Sequence, residues 1–395
     1  MNAPEKLAVR IKLPSAAGKL EAFRLSAPRD FGATGRKAFN RIALAAAHVV
    51  ADPLARGNPW LDAALDWDAT TAYRRYLWSL GLGVAEAMDT AQRGMGLDWK
   101  SSLELTRRSI EASGGIEGAV LFSGAGTDQL APSSGLTLDE VVAAYEEQCE
   151  AIERLGGRIV LMASRALAAC ARSPEDYQKV YSRILSQVKQ PVIIHWLGEM
   201  FDPQLAGYWG EENRGQAMNV ALAVTGANPA KIDGIKISLL DRQKEIDMRR
   251  RLPAGVRMYT GDDFNYPELI EGDREGHSDA LLGIFDAIAP AASAALARLA
   301  SGDAPGFREI LAPTVPLARH IFKAPTRFYK TGLAFLAWLN GHQGHFVMVG
   351  GQQSARSVVD LAETFRLADA AGLLRDPELA ASRMRQFLAV NGIGG

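Results

Sequence analysis

The sequence predicts an α/β fold, a (β/α)8 TIM barrel carrying an N-terminal hairpin extension and a C-terminal helical bundle. Three observations point there: eight short apolar runs, amphipathic helical stretches between them, and a final quarter that is helical only. Near-continuous apolar runs are what strands covered on both faces look like, and eight is the number a closed parallel barrel needs. An open doubly wound sheet alternates in the same way, so the choice between the two rests on motifs rather than on periodicity.

Taken in order, residues 1–40 stand apart as an extension. Leu7 to Leu13 and Leu20 to Leu25 alternate apolar and polar side chains around a turn at Ala17-Gly18, a hairpin pattern of period two. The barrel is expected over 41–295. Its strands are read at Ile42 to Val50, Gly83 to Met88, Gly118 to Phe122, Arg158 to Met162, Pro191 to Trp196, Gly234 to Ser238, Val256 to Tyr259 and Ala280 to Phe285. Helices are read at Thr70 to Leu80, Ser101 to Ala112, Thr137 to Leu155 and Pro174 to Val188, with Thr137 and Glu140 spaced as a capping box. The segment 296–395 is expected to be a helical region, broken by Gly302, Pro313, Pro316, Pro325 and the glycines from Gly344 to Gly351.

Composition narrows the class of function. The 395 residues are 48% hydrophobic and 23% charged, which supplies apolar area for a core. Forty-four Lys and Arg against 45 Asp and Glu leave a net charge of -1, so no global field draws in nucleic acid or an anionic membrane. A small-molecule partner is expected instead. Cys149 and Cys170 form no CxxC pair, so neither a disulfide framework nor a zinc site follows, and a cytoplasmic location fits. Met1 to Lys6 lacks a basic start followed by an apolar run, and no apolar stretch approaches the ~20 residues of a bilayer span.

The chemistry is expected at Lys236, which stands inside the apolar run Gly234-Ile235-Lys236-Ile237-Ser238. An unpaired ammonium ion is costly to bury, and burial lowers a lysine's pKa toward the neutral amine that attacks a carbonyl. A protonated imine formed there is an electron sink for breaking a carbon-carbon or carbon-oxygen bond. A lysine snorkelling at a strand end would leave the same trace in the sequence.

Gly-Ile-Lys on one run, Tyr259-Thr260-Gly261-Asp262-Asp263 on the next, and Asp279-Ala280-Leu281-Leu282-Gly283 ahead of Ala289-Pro290 together resemble the last three strands of the dihydrodipicolinate synthase and N-acetylneuraminate lyase family, the class I aldolase-type barrels. The resemblance selects the barrel and implies a Schiff base on Lys236. Pro191 to Trp196 is similar to the family's fifth strand, with His195 where that family has a tyrosine. Met88-Asp89-Thr90-Ala91-Gln92-Arg93-Gly94 falls where the family has Gly-Thr-Thr-Gly-Glu, and only Thr90 is retained. Ser123 to Thr127 matches its small-residue loop. The chain is therefore a divergent member by resemblance, and dihydrodipicolinate synthesis itself is not expected of it. The resemblance also implies a homo-oligomer, a dimer or tetramer.

His195 is the natural proton carrier, because imidazole titrates near neutrality and stands at the C-terminal end of a predicted barrel strand, where this fold keeps its active sites. Asp89, Thr90, Ser123 and Asp262 are candidate substrate-binding residues, and Arg93 or Arg165 could hold a carboxylate or phosphate through a bidentate fork. Asp262 and Asp263 begin a turn after a strand, for which an Asx-turn is the structural reading, and His48 is read as a packed histidine. His277 falls before the eighth strand, on the opposite face. His342 and His345 sit among glycines without a completing ligand, and Gly350 to Gln353 lacks a phosphate-binding spacing, so no metal and no nucleotide cofactor is expected.

The expected function is a Schiff-base lyase, aldolase or dehydratase acting on a keto-sugar or sugar-acid carbonyl. One alternative is a metal-dependent sugar isomerase or epimerase with Asp89, His195 and Asp262 as ligands. Another is a non-catalytic barrel that binds a sugar-like ligand.

Overall fold

The computed structural model describes residues 9–32 and 39–394. Met1 to Lys6, read as free of a targeting signal, and Leu7, read as the start of the hairpin, lie outside the described residues. Strands β1 (Arg10–Pro14) and β2 (Leu20–Arg24) pair antiparallel. Eight parallel strands then close into a barrel: β3 (Ala43–Ala46), β4 (Gly83–Glu86), β5 (Leu121–Ala125), β6 (Arg158–Leu161), β7 (Val192–Leu197), β8 (Ile232–Ser238), β9 (Arg257–Thr260) and β10 (Asp279–Leu282), with β10 returning to pair β3. The open-sheet alternative is thereby removed.

Each apolar run read from the sequence carries one strand, with two informative shifts. The first run stops pairing at Ala46, because the backbone of His48 leaves the ladder: its N–H meets the Asp286 carboxylate at 3.4 Å and its carbonyl accepts from Arg74. The third run begins later than expected, at Leu121, and extends through Ser123-Gly124-Ala125. A Cβ at Gly124 would lie 2.6 Å from the Met162 sulfur and 3.0 Å from the Ala87 carbonyl, so only a residue without a side chain allows the strands to approach here.

Alternation along each strand sorts side chains into two cores. Leu44, Phe122, Val160, Ile193, Tyr259 and Leu281 fill the barrel lumen, while Val84, Ile159, Ile194, Ile235 and Ile237 face the helix layer. The helix Leu138–Arg154 begins with the capping box read from the sequence, Thr137 and Glu140 satisfying each other's backbone N–H groups.

The C-terminal helices close back onto the barrel and the hairpin. The helix Tyr329–Leu339 is buried on every side, which its apolar sequence permits. Asp369 on the helix Val358–Ala370 accepts from the Ser26 N–H, and Arg366 donates to the Pro14 carbonyl at 2.9 Å, so the first and last parts of the chain are held to each other. No helix among the described residues is long and apolar enough to cross a membrane.

Candidate active site

The strand register decides which side chains meet at the C-terminal mouth of the barrel. In β8, Gly234, Lys236 and Ser238 point into the lumen while the three isoleucines point out, and His195 on β7 is the register partner of Lys236. Lys236 is 7% exposed and makes no ion pair or hydrogen bond among the described residues. Burial pulls its ammonium below the ordinary lysine range, with the charges of Asp263 and Asp89 acting in the opposite sense.

Gly261, just past β9, makes the room. A Cβ there would lie 2.5 Å from the Ile237 carbonyl and 2.7 Å from Lys236 Cε, and would collide with the Ser238 hydroxyl. The two aspartates that follow part company. Asp262 folds back on its own turn, accepting from the Phe264 and Asn265 backbones at 2.9 and 3.0 Å and from Asn265 Nδ2 at 2.8 Å. Asp263 is buried, accepts from the Ile284 N–H at 2.8 Å, and is the carboxylate that Lys236 senses most strongly. Burial pushes the Asp263 carboxyl above the carboxylate range, more than the Ile284 hydrogen bond and Lys236 pull it down.

His195 is fully buried. Its Nε2 lies 3.3 Å from the Ser238 hydroxyl, and its Nδ1 has no partner among the described residues. Burial, followed by the charge of Lys236, pushes the imidazole well below its usual range, so it stands as a neutral base. It lines a cleft with about 190 Å³ of room, whose wall also includes Asp89, Thr127, Arg165, Asp202 and Gln204.

Asp89 occupies a single 3-10 turn, Asp89–Ala91, between two non-glycine residues held in the left-handed region, Ala87 (φ 51) and Gln92 (φ 64). Such conformations cost on the order of 1 kcal/mol or more each and persist only where the surroundings fix them. Here Gln92 is fixed by donating from Nε2 to the Val349 carbonyl at 2.7 Å, a contact from the C-terminal region. Thr90 is buried with its hydroxyl 2.8 Å from that of Tyr329, which is stacked on Phe322 with ring centroids 4.4 Å apart.

Of the residues read from the sequence, the fold gathers Lys236, His195, Asp89 and Arg165 at the mouth. Arg165 gives Nε to Asp202, while its Nη atoms lie over Gly94 with no hydrogen bond among the described residues. Three expectations need correction. Arg93 is not free to grip a substrate: all three of its nitrogens are taken, by Asp128 at 2.6 and 3.1 Å, the Gly124 carbonyl at 2.5 Å, the Ala87 carbonyl at 3.3 Å and the Gln148 side chain. Ser123 follows lumen-facing Phe122 and so points into the helix layer, away from the cleft. Asp262 caps its own turn, so the trio Asp89, His195 and Asp262 is not assembled. Among the described residues no three His, Cys, Asp or Glu side chains form a metal-holding group.

His48 is engaged away from the cleft, between the Asp286 carboxylate at 2.9 Å and Gln343 Oε1 at 3.1 Å. Conversely, sequence reading missed Asp263 as the carboxyl whose charge acts most on Lys236, along with Tyr329 and Lys330. Lys330 had a usable signal, since it is a lysine in a run as apolar as that of Lys236.

The family described as "Protein of unknown function (DUF993)" matches residues 11–393. No curated protein sequence matches the chain. Among solved structures, YagE, a prophage protein of E. coli K12 belonging to the dihydrodipicolinic acid synthase family and crystallised with pyruvate, is similar at a TM-score of 0.65 and 13% identity, covering 85% of this chain and 100% of that one. The dihydrodipicolinate synthase of Oceanobacillus iheyensis gives a TM-score of 0.61 at 15% identity, covering 84% of this chain and 96% of the other. That of Acinetobacter baumannii, complexed with pyruvate, gives 0.61 at 14%, covering 84% and 99%. At such identities the likeness is one of fold. The chain belongs to the DUF993 family and is a distant structural relative of the dihydrodipicolinate synthases, whose barrel it shares.

Proposed function

We propose that this protein is a class I aldolase-type lyase or dehydratase that forms an imine between Lys236 and a keto-sugar or sugar-acid carbonyl. The observation that carries the reading is the buried, unpaired amine of Lys236 in the lumen, with a carboxyl on one side and a neutral imidazole on the other. A strand lysine kept for stability would be paired; this one is left available, and unpaired buried ions are costly.

In this reading the neutral amine attacks the carbonyl carbon. The oxygen leaves as water, taking one amine hydrogen and the proton carried by Asp263, and the iminium keeps the other amine hydrogen. Asp263 is then the counter-ion of the iminium, so the net charge of the site is unchanged and the new charges form as an adjacent pair. Cleavage of the bond one carbon removed delivers its electron pair to the iminium, and His195 accepts the hydroxyl proton that an aldol cleavage releases. Asp89, which lines the cleft, orients substrate hydroxyls.

The test is reductive trapping. Borohydride with a panel of keto-sugars and sugar acids is expected to add the reduced substrate to the peptide containing Lys236, and Lys236→Met to abolish both labelling and turnover. Turnover retained by that variant would sink the mechanism.

A further inference from the structure

A second buried lysine stands at the same mouth. Lys330 is 4% exposed; among the described residues its only hydrogen bonds are a donation to the Arg327 carbonyl at 3.1 Å and a contact with the Met95 sulfur at 3.2 Å, and its Nζ lies 4.8 Å from the Tyr329 ring centroid. It has no ion pair among the described residues, although an ammonium carries three donors. The loop that bears Met95 also bears Gly94, and the Arg165 guanidinium lies on that glycine so closely that a Cβ would come within 2.5 Å of Nη1. Two cations with unused donors therefore flank one short stretch of loop. The charges nearest Lys330 are Asp89, Arg165, Asp202 and Arg327, of which Asp89, Arg165 and Asp202 line the cleft. Asp202 is already committed to Arg165 Nε.

The two cations approach the same stretch of loop, Asp202 pairs only with Nε of Arg165, and Lys330 has no ion pair among the described residues, so an anion placed between them would complete both. We propose that Lys330 and the Nη face of Arg165 form an anion subsite beside Gly94, and that the substrate carries a carboxylate or phosphate held there while its carbonyl reaches Lys236. The proposal rests on the imine reading for the role of the anion, but the subsite itself is measurable without it. It selects the anionic members of the substrate class, a sugar acid or sugar phosphate, over neutral keto-sugars.

Burial is the main influence on the Lys330 ammonium and lowers it to about 8, with Asp89 and Asp202 pulling up and Arg165 and Arg327 pushing down. An anion bound by the charged form is therefore released as pH rises through that value.

The experiment is calorimetric titration of the full chain with malonate and, separately, with inorganic phosphate. At pH 7 the wild type is expected to bind at least one of them, and the arm that binds identifies the group as carboxylate or phosphate. Lys330→Met, a swap of similar volume that removes a buried charge, and Arg165→Gln, at a partly exposed position, are each expected to weaken that binding about tenfold or more, the size of one charge-assisted hydrogen bond. Malonate, which does not titrate in this range, is expected to bind less tightly at pH 9 than at pH 7. Because malonate and phosphate carry no carbonyl that forms an imine, the binding is read independently of Lys236 chemistry, and a failed imine reading would leave the result standing. The subsite is overturned if neither anion binds the wild type, if a folded Lys330→Met binds as tightly as the wild type, or if borohydride trapping labels Lys330 in place of Lys236.

Discussion

Two groups of buried charge occupy opposite faces of the barrel sheet, and they are built on opposite principles. On the helix side, Arg74 and Glu86 are fully buried and form a bidentate pair, both contacts at 2.8 Å. Every remaining valence is used: Glu86 also accepts from the Ala87 N–H at 2.9 Å and from Ser109, while Arg74 donates to the Thr70 and His48 carbonyls. Burial by itself would raise the Glu86 carboxyl, but Arg74 and these hydrogen bonds outweigh it and hold the group below its usual range. At the mouth, Lys236, Asp263 and His195 are buried too, yet among the described residues the amine has no hydrogen bond and one imidazole nitrogen no partner. There burial wins, moving the acid up and both bases down, toward neutral forms. Burial does not separate structural from reactive charge; saturation of the hydrogen bonds does.

The sharpest way to break this contrast is to remove one partner on the helix side. Arg74→Met leaves Glu86 buried and unpaired and is expected to cost about 3–5 kcal/mol in urea unfolding, most of it recovered when Glu86→Leu is added. The sign with pH follows from the lowered Glu86: its contribution is present above the ordinary glutamate range and is lost as pH falls through the folded value. The wild-type advantage over the double variant should therefore shrink in acid. An advantage that grows in acid would mean that the pair is not the stabilising unit.

A smaller effect is expected at His195. His195→Gln keeps a hydrogen-bonding side chain but no titratable base, and turnover is expected to fall about 100-fold, equivalent to ~2.7 kcal/mol, with little change in stability. Loss of stability with unaltered turnover would make it a packing residue. The smallest effect is expected at the lumen lysine in the assay that is so damaging for Arg74. Lys236→Met should leave unfolding unchanged or stabilise the protein by about 1 kcal/mol, because it removes a desolvated polar group with no hydrogen-bond partner to orphan among the described residues. A destabilisation matching that of Arg74→Met would place Lys236 among the structural pairs.

Much of the scaffold was legible in the chain. The eight apolar runs, the capping box at Thr137 and the odd lysine at position 236 are local signals, created by alternation, side-chain oxygen spacing and the cost of burying an ammonium. The site was legible only in part. Arg93 and Arg165 look alike in sequence, but whether a guanidinium is free depends on which distant groups reach it, and Asp128 with Gln148 saturates the first while Asp202 takes a single nitrogen of the second. Asp262 and Asp263 are adjacent, and which of them turns inward is set by the Asx-turn that claims the first. Ser123 was read as the start of a loop, but the third strand runs on through it, and alternation after lumen-facing Phe122 turns it toward the helix layer.

By itself, then, the sequence determined the succession of strands and helices and the presence of a lysine inside an apolar strand, since both depend on neighbours within a few residues. Only the tertiary structure decided that Asp263 and His195 are that amine's companions, that Tyr329 reaches Thr90, and that Lys330 joins Arg165 across the Gly94-Met95 loop. Those pairings span up to some 240 positions, and no local pattern of side chains encodes a contact that exists only once the barrel has closed and the last helices have packed against its mouth.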